Sequence, residues 1–178
     1  MAKAVGALLL KTIGASHRAL NRAGALPELE VLESGPMGHR AQMLVQGSPQ
    51  LVHQFVTETR STDLDRSLIL HPISDVVMQA YLGLVTEPLQ EVVMVIETDF
   101  VGELLSFAEA AHQNGWAILD LRQLRSGSSP GHLILSGSTK ALNSEWLKDL
   151  KRLHDNITIL ENLSPGYRDF WSLKPSST

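Results

Sequence analysis

Residues 92–100 read VVMVIETDF, and how this stretch is read decides the fold. It is apolar for five residues and then abruptly polar. Glu97 and Asp99 stand two apart, so in a strand they share a face and resemble an acid/base pair. A second reading comes from residues 4–12, AVGALLLKT, another apolar run closed by a charged residue and a threonine. The polar end is then the point where a strand leaves the core, and its short polar side chains are placed to cap the helix that follows near Val101. On this reading the chain is one unit written twice.

The match continues at an offset of about 86 to 91 residues. LLLKT (8–12) lies over MVIET (94–98), and helical segments follow at 15–23 and 101–113. Gly24 and Gly115 are placed as helix C-terminal glycines. LEVLES (29–34) and AILDLRQL (117–124) carry the period-two pattern of strands. Gly/Pro/Ser loops follow, SGPMG (34–38) and SGSSPG (126–131). AQMLVQGSPQLV (41–52) then pairs with HLILSGSTKAL (132–142). Each is a strand ending at Gly-Ser, with Ser48 or Ser138 as N-cap and Pro49 at the first helical position. Helical spacing buries Leu51, Val52, Phe55 and Val56 in one copy, and Leu142, Trp146, Leu147, Leu150 and Leu153 in the other. RSLILHPIS (66–74) stands beside NITILENLSP (156–165), and each copy closes with a short amphipathic piece.

Each copy therefore reads strand, helix, strand, strand, helix, strand, short helix. That order predicts an α+β fold, an α/β sandwich of two tandem ferredoxin-like, split β-α-β domains with helices on one face of each sheet. The first copy spans 1–86, the second 91–173, and 174–178 is a polar tail expected to be disordered. Residues 85–90, VTEPLQ, form the linker marked by Pro88.

Composition narrows the function. The chain has 178 residues, enough for one domain or two of about 90, and 43% are hydrophobic. No run of 18 apolar residues exists, and the short N-terminal apolar run closed by Lys11 reads as a strand rather than a signal peptide. The absence of cysteine excludes disulfides, thiolate metal sites and cysteine nucleophiles. A net charge of −4 and 5% aromatic residues give neither the basic footprint nor the stacking surface that nucleic acids need.

The Ile-Glu-Thr close of the strand at 92–98, the junction SLILHPISDVVMQAYLGL (67–84) and the Gly-Ser turn before each second helix resemble the bacterial microcompartment shell domain, in its tandem form. The resemblance covers almost all of residues 3–173. It implies a non-enzymatic structural protein of the bacterial cytoplasm, a homotrimer imitating a hexamer that tiles with other shell proteins and passes a small metabolite through a central pore. It places pore-lining loops at Ser34, Gly35, Pro36, Met37 and Gly38 and at Ser126, Gly127, Ser128 and Ser129. His39, Arg125 and His132 stand at the pore edge. Small residues leave backbone N–H groups and hydroxyls facing such an opening, where width and donors set selectivity. A lysine that the family carries near the end of the first helix, at the tile edge, is replaced by Arg22 in one copy and Gln113 in the other. The family's Gly-Asp turn is Gly-Ser in both copies. Some tandem shell proteins hold an iron–sulfur cluster through cysteine, so none is expected here, and no cofactor, metal, nucleic-acid or membrane partner is implied.

Other readings compete. The histidines are scattered without HxxxH or HxH spacing, so no local metal site is predicted. SGPMGHR and SGSSPGH lack the spacing of phosphate loops. RSTDLDR (60–66) reads as a solvated turn. Tandem ferredoxin-like folds also serve as small-molecule sensors, which makes a ligand-binding regulatory protein the alternative function. Tyr81, Trp146, Phe170 and Trp171 are candidate interface anchors.

Overall fold

Seven consecutive buried residues make β1 (Ala4–Leu10) the centre of the first sheet. It is followed by α1 (Ile13–Gly24), β2 (Glu30–Met37), β3 (Arg40–Gly47), α2 (Pro49–Thr57), β4 (Leu64–Leu70) and α3 (Asp75–Tyr81). The same order recurs as β5 (Val92–Thr98), α4 (Val101–Gln113), β6 (Ala117–Arg122), β7 (Gly131–Gly137), a 3₁₀ turn (Thr139–Asn143), α5 (Glu145–Leu153), β8 (Ile157–Leu160) and α6 (Pro165–Ser172). This computed structural model describes residues 2–84, 87–123 and 131–172. Among them are two four-stranded antiparallel sheets, ordered β2-β3-β1-β4 and β6-β7-β5-β8. The polar tail and part of the linker lie outside the described residues.

Strand register fixes how the two copies correspond. Ala4 pairs with Gly47 where Val92 pairs with Gly137, and Val5 pairs with Leu70 where Val93 pairs with Leu160. Residues 4–10 therefore stand where 92–98 stand, two residues away from the LLLKT-over-MVIET match. A shift of two keeps every side chain on its face, so the apolar pattern could not reveal it. Both copies also carry a bulge at the same place, between Val31 and Glu33 and between Ile118 and Asp120.

Described residues 2–73, together with Asp99–Glu103 and Gln123, form one compact unit. One face of its sheet buries Leu8, Leu10, Met43 and Val45 against Ala15, Ala19 and Ala23 of α1 and Val52, Phe55 and Val56 of α2. Ser48 caps α2 with Pro49 at its first position, as its sequence predicts. The opposite face receives the start of α4. A Cβ on Gly102 would lie 2.9 Å from the Ala7 Cβ and 2.8 Å from the Phe100 ring, so only glycine fits this approach. Gln42, 7% exposed, accepts a hydrogen bond from the Val101 N–H at 2.8 Å and thereby caps α4 from a neighbouring strand. Arg66 pairs with Glu103 and lies 4.9 Å from the Phe100 ring centroid. RSTDLDR is more than a solvated turn, because Asp63 accepts two hydrogen bonds from Arg18, at 3.0 and 2.6 Å, and Asp65 pairs with Arg40 at 3.1 Å.

Described residues 74–98, Leu104–Arg122 and 131–172 form the second unit. Met94, Ile96, Leu104, Leu105, Trp116, Leu133, Leu135, Leu147 and Leu150 fill its core. α3 closes the first copy in sequence yet belongs to this unit, where it packs on β6. Ser74 donates from both its backbone N–H and its hydroxyl to the Glu109 carboxylate of α4, each at 2.9 Å. Glu87 exchanges hydrogen bonds with the Ile118 backbone at the free edge of β6.

Several local expectations change. Ser138 makes no side-chain cap; Glu91 accepts from the Thr139 N–H instead, and Ser144 caps α5. The intervening 3₁₀ turn displaces the second helix, leaving Leu153 at its end 72% exposed. Gly115 adopts φ +83° beyond α4, but Gly24 is the last helical residue of α1 and Ala25 is the cap.

Gly102→Val is expected to destabilise the protein by about 1–3 kcal/mol through overpacking, read as a lower urea midpoint with an unchanged slope. The hydrogen bond from Arg18, ahead of the coulombic attraction, holds the Asp63 carboxyl below its ordinary range. The stability it contributes is present above the unfolded carboxyl value and is lost as pH falls through the lower folded value. Asp63→Asn should therefore flatten that part of the acid limb in thermal melts across pH; an unchanged limb contradicts the linkage.

Candidate functional site

The SGPMG segment is mostly strand rather than loop. Ser34, Gly35, Pro36 and Met37 continue β2 and pair with Met43, Gln42, Ala41 and Arg40. Only Gly38 and His39 turn the chain, and Gly38 at φ +65° occupies the left-handed region such tight hairpins demand. Ser34, Pro36, Gly38 and His39 are exposed, while Gly35 and Met37 are half-buried. The hairpin end is thus a paired ribbon tip, with the Met37 sulfur beside the Gln42 and Gln123 amides.

In the second copy the hairpin is longer. Its last described pair is Arg122 with His132, and residues 123–131 connect them. Arg125, Ser126, Gly127, Ser128 and Ser129 lie outside the described residues. His132 sits on β7 with its Nε2 3.1 Å from Asp120, which also accepts from Arg122 at 3.2 Å. By strand register His132 corresponds to buried Gln42, because Gln42 pairs with Leu9 where His132 pairs with Glu97. The two glycine-preceded histidines are therefore not equivalent, since His39 is a turn residue.

Arg22 folds back on its own unit. It donates to the Phe55 carbonyl and to Thr59 Oγ1, and its guanidinium lies 4.4 Å from the Phe55 ring centroid. Burial pulls its pKa below the ordinary arginine value, against the opposing charge of Glu58. It satisfies a carbonyl at the C-terminal end of α2, a favourable place for a cation. A hollow of about 200 Å³ beside it is lined by Arg18, Arg60, Glu58 and Asp63. Gln113 ends α4, donates to Glu109 at 3.2 Å and is exposed.

Glu97 is an exposed strand residue whose N–H donates to the Asn156 carbonyl. Asp99 faces Arg40 at 3.7 Å. The helix cap assigned to this polar end comes instead from Gln42, a residue that period-two patterning places in a buried strand without marking its partner. Among the described residues no group of three or more His, Asp or Glu side chains is placed to hold a metal, and no helix is long and apolar enough to cross a membrane.

No family model and no curated protein matches the chain. Among solved structures, a microcompartment protein of Desulfitobacterium hafniense is similar over 95% of this chain and 99% of its own, with a TM-score of 0.75 and 16% identity. A putative glycine cleavage system transcriptional repressor overlaps 90% of this chain and 98% of its own at 16% identity, but its TM-score of 0.31 carries no argument. The two repeated β-α-β units thus share the fold of a microcompartment protein.

Proposed function

We propose that this chain is a structural, non-enzymatic building block of a bacterial microcompartment shell in the cytoplasm. Residues 1–86 and 91–173 are its two shell-domain repeats. Three chains form a ring of six repeats, a pseudohexameric tile that assembles with copies of itself and with other shell proteins. The observation that carries this reading is the repetition of one four-stranded sheet, with equal strand order and equally placed bulges, in a fold similar to a microcompartment protein.

The two hairpin ends line the central opening in this proposal: Ser34 to Gly38 with His39 from one repeat, and Ser126 to Ser129 with Arg125 and His132 from the other. The exposed Ser34 hydroxyl and Gly38 backbone of a two-residue turn suit the wall of a pore for small metabolites, where donors and width select the permeant. Arg22 and Gln113 are the tile-edge residues. Arg22 reaches that edge already anchored on Phe55 and Thr59, so its remaining guanidinium N–H groups are oriented rather than free to swing.

Light scattering after size exclusion is expected to give a mass three times 19.5 kDa, or a multiple of that trimer. A monomer or dimer at high concentration would sink the tile. Gln113→Lys should extend the sheets seen by electron microscopy if the amide limits edge contacts. Arg22→Ala should reduce both sheet formation and stability, the latter by about 1 kcal/mol for the lost hydrogen bonds.

A further inference from the structure

We infer that the hollow between α1 and the turn at 58–63 binds a small phosphate-type oxyanion, held chiefly by Arg60 and Arg22. The anion is a free phosphate or the phosphoryl group of a small ester. The site lies within one repeat and needs no second copy, so it stands or falls apart from the tile reading.

Both walls of the hollow are fixed. Ala15 and Ala19 of α1, 1% and 5% exposed, line it with methyl groups alone and leave about 200 Å³ open. That is room for a phosphoryl group and a few attached atoms. In the facing turn the Arg60 carbonyl accepts from the Asp63 and Leu64 N–H groups, at 2.9 and 3.1 Å. The Asp63 carbonyl accepts from the Lys11 N–H at 2.9 Å. Arg60 is therefore carried on a tethered backbone.

Cations in the hollow exceed the acceptors left for them. Arg18, Arg22 and Arg60 line it with two carboxylates, Glu58 and Asp63. Arg18 occupies both Asp63 oxygens, at 3.0 and 2.6 Å, and Glu58 already accepts from Gln54 at 2.9 Å. Lys11 adds a further positive charge acting on Asp63. Arg60 acts on Asp63 by charge alone, with no side-chain hydrogen bond or ion pair among the described residues. Arg22 uses one nitrogen, Nη2, for both Phe55 and Thr59. A guanidinium carries five N–H groups in a planar fork that matches phosphoryl oxygens. Donors thus remain on both Arg60 and Arg22. Burial disfavours the Arg22 charge and Glu58 opposes that effect, so a bound anion adds countercharge where it is short.

The second repeat shows that the fold does not require these arginines. Ala4 and Val92 are equivalent by strand register, and α1 and α4 begin at Ile13 and Val101, the same spacing on. Arg18, Ala19 and Arg22 then correspond to Ser106, Phe107 and Ala110. Phe107 meets His154 edge-on, with ring centroids 4.5 Å apart. One repeat carries an aromatic contact at this position of its first helix, and the other a cationic hollow.

Equilibrium dialysis of radiolabelled inorganic phosphate against the full chain, with chloride holding every sample at one ionic strength, should show saturable binding of one ion per chain. Arg60 is exposed, so Arg60→Gln should keep the thermal midpoint in phosphate-free buffer while weakening binding by about tenfold or more. Asp63→Asn should tighten binding, since it removes a carboxylate and releases Arg18. Arg152→Gln on α5 removes an equal charge outside the hollow and should bind as the parent chain does. A three-carbon phosphate monoester that displaces the label more effectively than phosphate assigns an ester as the ligand; one that displaces it less effectively assigns free phosphate. Binding that does not saturate, that Arg60→Gln leaves unchanged, that Asp63→Asn weakens or that Arg152→Gln weakens equally overturns the site.

Discussion

The structure depends on the burial of the central strands. All seven residues of β1 are buried, and β5 is buried at Val92, Val93, Met94, Ile96 and Thr98. A strand with apolar residues on both faces needs cover on both. The local helices α1 and α2 supply one side in the first unit. The other side has no local element left, and the start of α4 is brought to it, with Gln42 satisfying the Val101 N–H and Gly102 allowing the backbone to approach Ala7. The first unit is thus completed by residues from the second repeat.

The repeat and the element order were legible in the sequence because they are written in hydrophobic periodicity, which burial enforces locally. What was not legible depends on partners distant in sequence. Ser138 has the residue type of a cap, yet Glu91 reaches Thr139 first and the helix starts six residues later at Ser144. Leu153 keeps the helical spacing but falls at a helix end, where spacing no longer implies burial. SGPMG has loop composition, but Ser34 to Met37 pair with β3 because the turn needs only Gly38 and His39. The bulges at Val31 and Ile118 leave no trace in residue type.

The candidate site was legible to a lesser degree. Composition located the first hairpin end, and strand pairing gave it its shape. Arg22 stands out in the sequence only as a cation near a helix end. Its bonds to Phe55 and Thr59 arise from the packing of α1 against α2, which no local pattern records. Gln42 carries no local signal of its role, since a single glutamine in an apolar strand resembles an imperfection in the pattern until its partner is known.

The membership of α3 in the second unit has a consequence for synthesis. Translation delivers Val77, Met78 and Ala80 before β6, the strand that α3 packs upon, exists. It also completes the first sheet before Asp99–Glu103, which completes that unit, has been made. Cutting the gene at the linker would separate Asp99–Glu103 from the first unit and α3 from the second. The repeats are equal in pattern, but each unit of the folded chain takes residues from both.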